Sequence, residues 1–448
     1  MFEKSIPNLH RKHLKAVEKN QQNHSDRPAP LKLSILTQFY PPDYAATGQF
    51  IEELAHQLTQ KNIQIHIFTG QPGYAFQKES APKIERSHHL LIRRSRTSRM
   101  WPQRIRGKAI NGILFCLRSG LHLIKSCWRG DVLLITTAPP FLPILGLLAN
   151  FCFGLPYCCL IYDLYPDIAV KLKVVPSHNL IVKFWNFINK CIWKKAKSII
   201  VLSPTMKNRI VKKCPEVKDK ISVIHSWADP NWIKPLSKQN NWFAKKHNLL
   251  DKFTVLYSGN MGRCHDMDTI IAAAEQLQNQ PIQFVFIGDG AKRQDCIQKV
   301  HNLGLQNCLF LPYQDKQTLP YSLTACDLSL VSISPGMEGL IAPSKLYGIL
   351  AASRPVAAIC EKNSYLRQLL ADAKCGAAFT NGDATSLAEF IKFLAADKQL
   401  AHRLGKSGRR YLQLNFTPTI IAQQYAQVLK SNSQQYLQFH PTKQVYFQ

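Results

Sequence analysis

The chain has 448 residues, more than one compact core can use, and at roughly 100–200 residues per domain two or three domains are expected. An apolar fraction of 46% and a charged fraction of 19% exclude a mostly disordered chain and a collagen or coiled-coil architecture. With 57 Lys and Arg against 28 Asp and Glu the net charge is +29, so an anionic partner is expected: nucleic acid, a membrane surface or a phosphorylated substrate.

Residues 1–30 are polar and mixed in charge, with no apolar run of the signal-peptide kind, and read as a flexible basic tail. Strand and helix patterns then alternate. LKLSILTQF reads as a strand, and Phe50, Ile51, Leu54, Ala55 and Leu58 mark one face of a helix over 47–61. IQIHIFTG is the next strand. From Arg86 to Gly130 stand 11 basic residues and no acidic one: Arg86, Arg93, Arg94, Arg96, Arg99, Arg104, Arg106, Lys108, Arg118, Lys125 and Arg129. A basic face of this density suits contact with an anionic surface.

The 31 residues from Val132 to Tyr162 carry no formal charge, and about 20 apolar residues suffice to span a bilayer. Pro139-Pro140, Gly154 and Pro166 nevertheless cut the run into strand (VLLITTAP), helix (FLPILGLLANFCFG) and strand (LPYCCLIYDLYP), which favours a buried βαβ unit. A transmembrane helix is the alternative here, and a helix dipping into a bilayer surface, which the neighbouring basic stretch would support, is a further one. SIIVLS and ISVIH close the first half. The 13 cysteines are scattered without a C-x-x-C pair, as in a reducing compartment with neither a disulfide framework nor a zinc site.

The segment 229–252 has no clean period and reads as a linker. FTVLYSGNMG then restarts the alternation, followed by a helix over 266–278, IQFVFIGDG, LSLVSI, a helix after Pro343, PVAAIC, and helical sequence from Asp383 to about Ser431. Strand–helix alternation of this kind implies parallel sheets covered on both faces. The expected organisation is a tail (1–30), a Rossmann-like domain (31–228), a linker (229–252), a second Rossmann-like domain (253–415), a helix crossing back to the first domain (416–431) and a tail (432–448).

In such α/β sheets ligands bind beyond the carboxyl ends of the strands, so the glycine turns there are the candidate sites. Thr47 is expected to cap the first helix, with Gly48 letting a ligand approach the backbone; an ordinary βα loop is the other reading. Ser258-Gly259-Asn260-Met261-Gly262-Arg263 can form an anion site from backbone N–H groups and a guanidinium. Gly288-Asp289-Gly290 ends the next strand. Neither turn matches the G-x-G-x-x-G or Walker pattern. The run from Gly336 to Val356 places Glu338-Gly339, then Ser344-Lys345 at a helix start, an arrangement suited to phosphate. A capping serine and a solvent lysine is the plain alternative.

FYPPDYAATGQFIEELA, DLYPD at 163–167, VLYSGNMG, FIGDG and PSKLYGILAASRPVAAI, in this order over residues 31–430, resemble the family-4 glycosyltransferases of the GT-B fold. Within that family the chain is similar to enzymes of bacterial colanic-acid and exopolysaccharide synthesis. The resemblance implies two facing doubly wound α/β domains. It implies a hexosyltransferase-type reaction in which a nucleotide-diphosphate sugar gives its sugar to a lipid-linked or saccharide acceptor, with retention and with neither metal nor cofactor. Lys345, Arg263 and Asp163 would be catalytic. Gly48, Gly259, Asn260, Gly288, Asp289, Tyr313, Glu338, Gly339 and Ser344 would form the donor-binding set, with the acceptor entering near Gly48 and Asp163.

The family's pair of glutamates falls here on Leu340 and Gly348, with Glu338 off spacing, and this departure raises the alternative of an inactive scaffold of the same fold. A nucleic-acid-binding protein is the other class that the charge suggests, but RNA-recognition signatures are missing and no nucleic-acid partner is expected. The basic first domain would instead hold the enzyme on the cytoplasmic face of an anionic membrane by charge, in a manner that high salt reverses.

Overall fold

The computed structural model describes residues 30–43, 45–72, 81–95, 105–125 and 129–439. Nearly all of the tail read at 1–30, and Arg96, Arg99 and Arg104 of the basic stretch, lie outside the described residues.

The first domain runs β1 (Leu31–Leu36), α1 (Ala46–Thr59), β2 (Ile63–Thr69), β3 (Ile84–Ser87), β4 (Leu90–Arg94), α2 (Ile105–Ile124), β5 (Val132–Thr136), α3 (Ile144–Phe153), β6 (Tyr157–Ile161), α4 (Asp167–Lys171), α5 (Leu180–Lys195), β7 (Ser198–Val201), α6 (Pro204–Lys213) and β8 (Ile221–Val223). Its eight strands take the order β3-β4-β2-β1-β5-β6-β7-β8, parallel except for β3, which pairs antiparallel with β4 at the edge. The uncharged run 132–162 is β5–α3–β6. Every residue of both strands is buried, and α3 ends at Gly154 in the left-handed region (φ 64°). No helix among the described residues is long and apolar enough to cross a membrane.

The second domain runs α7 (Trp242–Lys246), β9 (Phe253–Ser258), α8 (Asp268–Gln276), β10 (Ile282–Ile287), α9 (Arg293–Asn302), β11 (Cys308–Leu311), α10 (Leu319–Thr324), β12 (Leu328–Ser332), α11 (Lys345–Ala351), β13 (Val356–Ile359), α12 (Tyr365–Ala373), β14 (Gly376–Phe379), α13 (Ala384–Ala396) and α14 (Lys398–Asn415). Its sheet is wholly parallel, in the order β11-β10-β9-β12-β13-β14. Fully buried strands such as IQFVFI fit a sheet covered on both faces.

Most of the segment read as a linker belongs with this second domain. Arg409 donates to the Pro230 and Ile233 carbonyls, each at 2.8 Å, and Arg354 donates to the Leu236 carbonyl at 2.7 Å. Lys238, buried, pairs with Asp327 at 2.7 Å. The last helix, α15 (Pro418–Phe439), packs on α1 of the first domain, and Asn432 donates to Ser198 at 2.7 Å.

The basic stretch is less available than its sequence suggests. Arg94 is buried, pairs with Glu85 at 2.7 Å and donates to the Pro41 carbonyl at 2.6 Å. It holds the edge hairpin to the β1–α1 loop and is no surface cation.

Candidate active site

The two glycine turns at the ends of β9 and β10 lie backbone against backbone. Gly259 N–H donates to Ile287 O at 2.8 Å, and Met261 N–H donates to Asp289 O at 2.8 Å. Gly288 sits at φ 136°, and a Cβ there would stand 2.2 Å from Gly259 O, so only glycine fits. Asp289 is exposed and folds its Oδ1 onto the Gly290 N–H at 2.8 Å. Asn260 and Arg263 are exposed on the first turn, and Tyr313 is exposed just beyond β11.

Lys345 enters this region from the start of α11. Its Nζ is buried without a hydrogen-bond partner and lies 3.6 Å from the centroid of the Tyr257 ring. A methyl group at Gly259 would be 3.3 Å from Lys345 Cε, so the lysine lies along the glycine turn. Burial pushes the ammonium down from 10.5 to about 7. The solvent-lysine reading therefore fails. Ser344 makes no capping hydrogen bond, so the capping-serine reading fails with it.

Asp163 faces this region from the first domain, just past β6. Thr137 Oγ1 accepts from the Tyr162 and Asp163 N–H groups at 3.1 and 3.4 Å and fixes the turn. Burial pushes the Asp163 carboxyl up to about 6. Burial first, and then the Asp163 charge, pushes the thiol of Cys264, next to Arg263, up to about 11. His265 beside it is held down to about 3 by burial and then by the charges of Lys345 and Lys292. The Asp163 charge is thus felt at the Arg263 turn and the Lys345 charge at His265, while Arg263 itself is turned to solvent. Lys292, whose Nζ donates to His265 O at 2.7 Å, is a second cation there that the sequence reading did not pick out. Its place two residues after Gly290 was the available signal.

Glu338 has a structural use besides the donor contact expected of it. It is buried, and its Oε1 accepts from Thr205 Oγ1 at 2.6 Å, across to the first domain. Arg209 donates to the carbonyls of Glu338 (2.6 Å) and Gly336 (3.2 Å), and Leu164 N–H donates to Leu340 O at 3.0 Å. Gly339, at φ 72°, lets the loop settle onto Thr205, whose carbonyl would be 2.7 Å from a Cβ. Glu338 Oε2 remains buried without a partner. Removing the Arg209 bonds should loosen this bridge. We expect Arg209→Ala to raise the donor KM about tenfold with a smaller change in kcat, as one or two charged hydrogen bonds are lost, measured by steady-state kinetics.

The Thr47 expectation needs correction. The helix begins at Ala46 with Ala45 in the capping place, so Thr47 lies inside it and is no cap. A Cβ on Gly48 would be 3.0 Å from Phe39 C and Tyr40 N, so the close approach is made by the chain itself. At Gly348, where the resemblance expects a glutamate, a Cβ would meet Leu323 Cδ1 at 3.3 Å. Apolar packing fills that direction.

Two family models match the chain: "Glycosyltransferase Family 4" over residues 47–232 and "Glycosyl transferases group 1" over residues 238–411. The chain is 27% identical over 309 residues to the probable glycosyltransferase WbjE of Pseudomonas aeruginosa, covering 68% of this chain and 76% of the relative. It is 29% identical over 179 residues to the putative colanic acid biosynthesis glycosyl transferase WcaI of Escherichia coli K12, covering 38% and 42%. The structure of Anabaena HepE with UDP-glucose superposes with a TM-score of 0.67 at 16% identity, over 90% of this chain and all of that one. With two α/β domains closing on a crevice at the carboxyl ends of their strands, and with both halves matched, the chain belongs to the family-4 glycosyltransferases of the GT-B fold, related to enzymes of exopolysaccharide synthesis.

Proposed function

We propose that the protein transfers a hexose from a nucleotide-diphosphate sugar to a saccharide or lipid-linked acceptor during synthesis of a bacterial surface polysaccharide, at the cytoplasmic face of the membrane. The observation that carries this reading is the buried, unpartnered Lys345 Nζ lying along the Gly259 turn. A buried cation without a hydrogen-bond partner beside a glycine turn suits a diphosphate, and HepE, of the same fold, forms a complex with UDP-glucose.

In this reading the bond from the anomeric carbon to the donor phosphate breaks as the bond to the acceptor hydroxyl oxygen forms. The nucleoside diphosphate leaves against Lys345, with Arg263, Lys292 and the Asn260 amide around it. The Gly288-Asp289 turn and Tyr313 hold the nucleotide end, Ser344 adds a hydroxyl near the phosphates, and the free Glu338 Oε2 accepts from a sugar hydroxyl. With retention the hydroxyl approaches from the leaving group's own face, so its proton goes to the departing phosphate. Neither metal nor cofactor enters this scheme. Asp163 orients the acceptor by accepting a hydrogen bond from a hydroxyl next to the attacking one.

Because Asp163 titrates near 6, kcat/KM for the acceptor should fall as pH drops below about 6. Asp163→Asn should lower it about tenfold and remove that acid limb. A pH–rate profile that keeps the limb in the variant would exclude this role. The reading as a whole is tested by titrating purified protein against a panel of nucleotide sugars, then assaying transfer with the one that binds. The apolar surroundings of Gly348 favour one second reading, a donor-binding scaffold without turnover. Tight donor binding with no transfer to any saccharide or lipid acceptor would establish it.

A further inference from the structure

We propose that the outer face of α2, α3 and α5 is a bilayer-insertion surface, which seats the first domain in an anionic membrane by apolar contact as well as by charge. On α5, Leu180, Ile181, Phe184 and Phe187 form a stripe of helical spacing that points to solvent, each more than 60% exposed. α2 does the same with Leu117, Leu121 and Ile124, and α3 with Phe151, which is 87% exposed. Among the described residues only Leu414 is another large apolar side chain exposed to that degree. Soluble surfaces rarely gather such side chains in one place.

The three helices are neighbours on one side of the sheet. Gly120 of α2 faces Leu145 of α3, 3.6 Å from where its Cβ would be. Phe141, just before α3, packs against Gly112 of α2 and lies 6.5 Å from the Trp185 ring of α5. The face is therefore continuous.

Charge says what covers it. The three helices contain no Asp or Glu, whereas Lys183 and Lys190 are exposed on α5 beside its apolar stripe, with Lys194 beyond them paired to Glu216. Apolar side chains rimmed by cations are complementary to a bilayer interface with anionic headgroups. A second copy of the chain would bring the same lysines to the same face with no carboxylate on these helices to pair them, so self-association is disfavoured there. This reading replaces the purely electrostatic contact expected from the basic stretch, in which Arg94 is buried.

Val182 and Asn186, on the inner side of α5, wall a cavity of about 440 Å³ that Lys171, Arg209 and Lys213 also line. If the lipid-linked acceptor proposed above is correct, an insertion at α5 brings its headgroup to this cavity. The insertion itself needs no donor, acceptor or turnover, so its test stands apart from the proposed reaction.

The test is sedimentation of the full-length protein with phosphatidylcholine vesicles, with and without phosphatidylglycerol, at ~0.1 M and ~1 M salt. Binding to the anionic vesicles should weaken but persist at high salt. Phe184→Ser with Phe187→Ser, two exposed positions, should lower partitioning more than about tenfold at both salt levels while leaving the unfolding midpoint unchanged. Lys183→Gln with Lys190→Gln should weaken binding at low salt only. Binding abolished at ~1 M salt, or unaffected by the phenylalanine changes, would overturn the proposal. So would a wild-type dimer that the phenylalanine changes dissociate without altering vesicle binding.

Discussion

Lys345→Met should lower sugar transfer by about 10²–10³-fold and, in the same molecule, make the ligand-free protein more stable. The two effects have one cause. The ammonium is buried with no hydrogen-bond partner, so the folded chain bears most of its desolvation, eased by the face of the Tyr257 ring, until an anion arrives. Removing one preorganised charge-stabilising donor from a leaving group costs about 10²–10³ in rate. Removing an unsatisfied buried donor returns about 1–3 kcal/mol, with charged groups at the upper end. The pH dependence gives the sign independently. The lysine holds its proton to about 7 in the folded chain against 10.5 in the unfolded one. Between those values the unfolded chain binds more protons, so wild-type stability should climb with pH through that window, with the penalty at its full size below about 7. The methionine variant should lack the climb. Donor affinity should do the reverse in the wild type, weakening as pH rises above about 7, because the diphosphate needs the charged form. Calorimetry across pH and donor titrations check each part, and unchanged turnover in the variant would remove Lys345 from the mechanism.

Gly288→Ala should cost about 3 kcal/mol of stability and most of the donor affinity. Its φ of 136° is a region that side chains rarely adopt, worth about 1–3 kcal/mol of strain. The added Cβ would also stand 2.2 Å from Gly259 O, and that strand end cannot retreat without losing the Gly259 N–H bond to Ile287. The shift would reach Asn260 and the amides beside Lys345. Gly262→Ala is the control. The atoms nearest its Cβ would be those of the Asn260 side chain, which can turn away, so its stability should change little. Equal unfolding midpoints for the two variants would show that the packed glycine turns do not set the site.

The parallel strands were legible because their apolar runs, such as VLLIT and IQFVFI, end at glycine or proline, and the turns at Gly259 and Gly288 and the Lys345 segment were legible for the same reason. The β3–β4 edge hairpin was not. IERS and LLIRR carry charge on an edge strand and its partner, and no glycine or proline marks the turn between them. The roles of Arg94, Glu338 and Lys292 were hidden for another reason: each is set by a partner distant in sequence, with Glu338 meeting Thr205 across 133 positions. The stripe on α5 was hidden in the opposite sense. Leu180, Phe184 and Phe187 have the spacing of a core face, and only the position of the sheet reveals that they look outward.

The return of α15 has a bearing on how the protein is made. Ile421, Tyr425 and Leu429 are buried against the domain that begins at Leu31, and Asn432 is bonded to Ser198 there. A ribosome releases the amino-terminal lobe first, yet that lobe has to wait for α15 to emerge before it can close its own interior. Expression of residues up to the second sheet alone should therefore yield an open lobe that chaperones retain, whereas the second lobe has most of its packing partners at hand as it emerges.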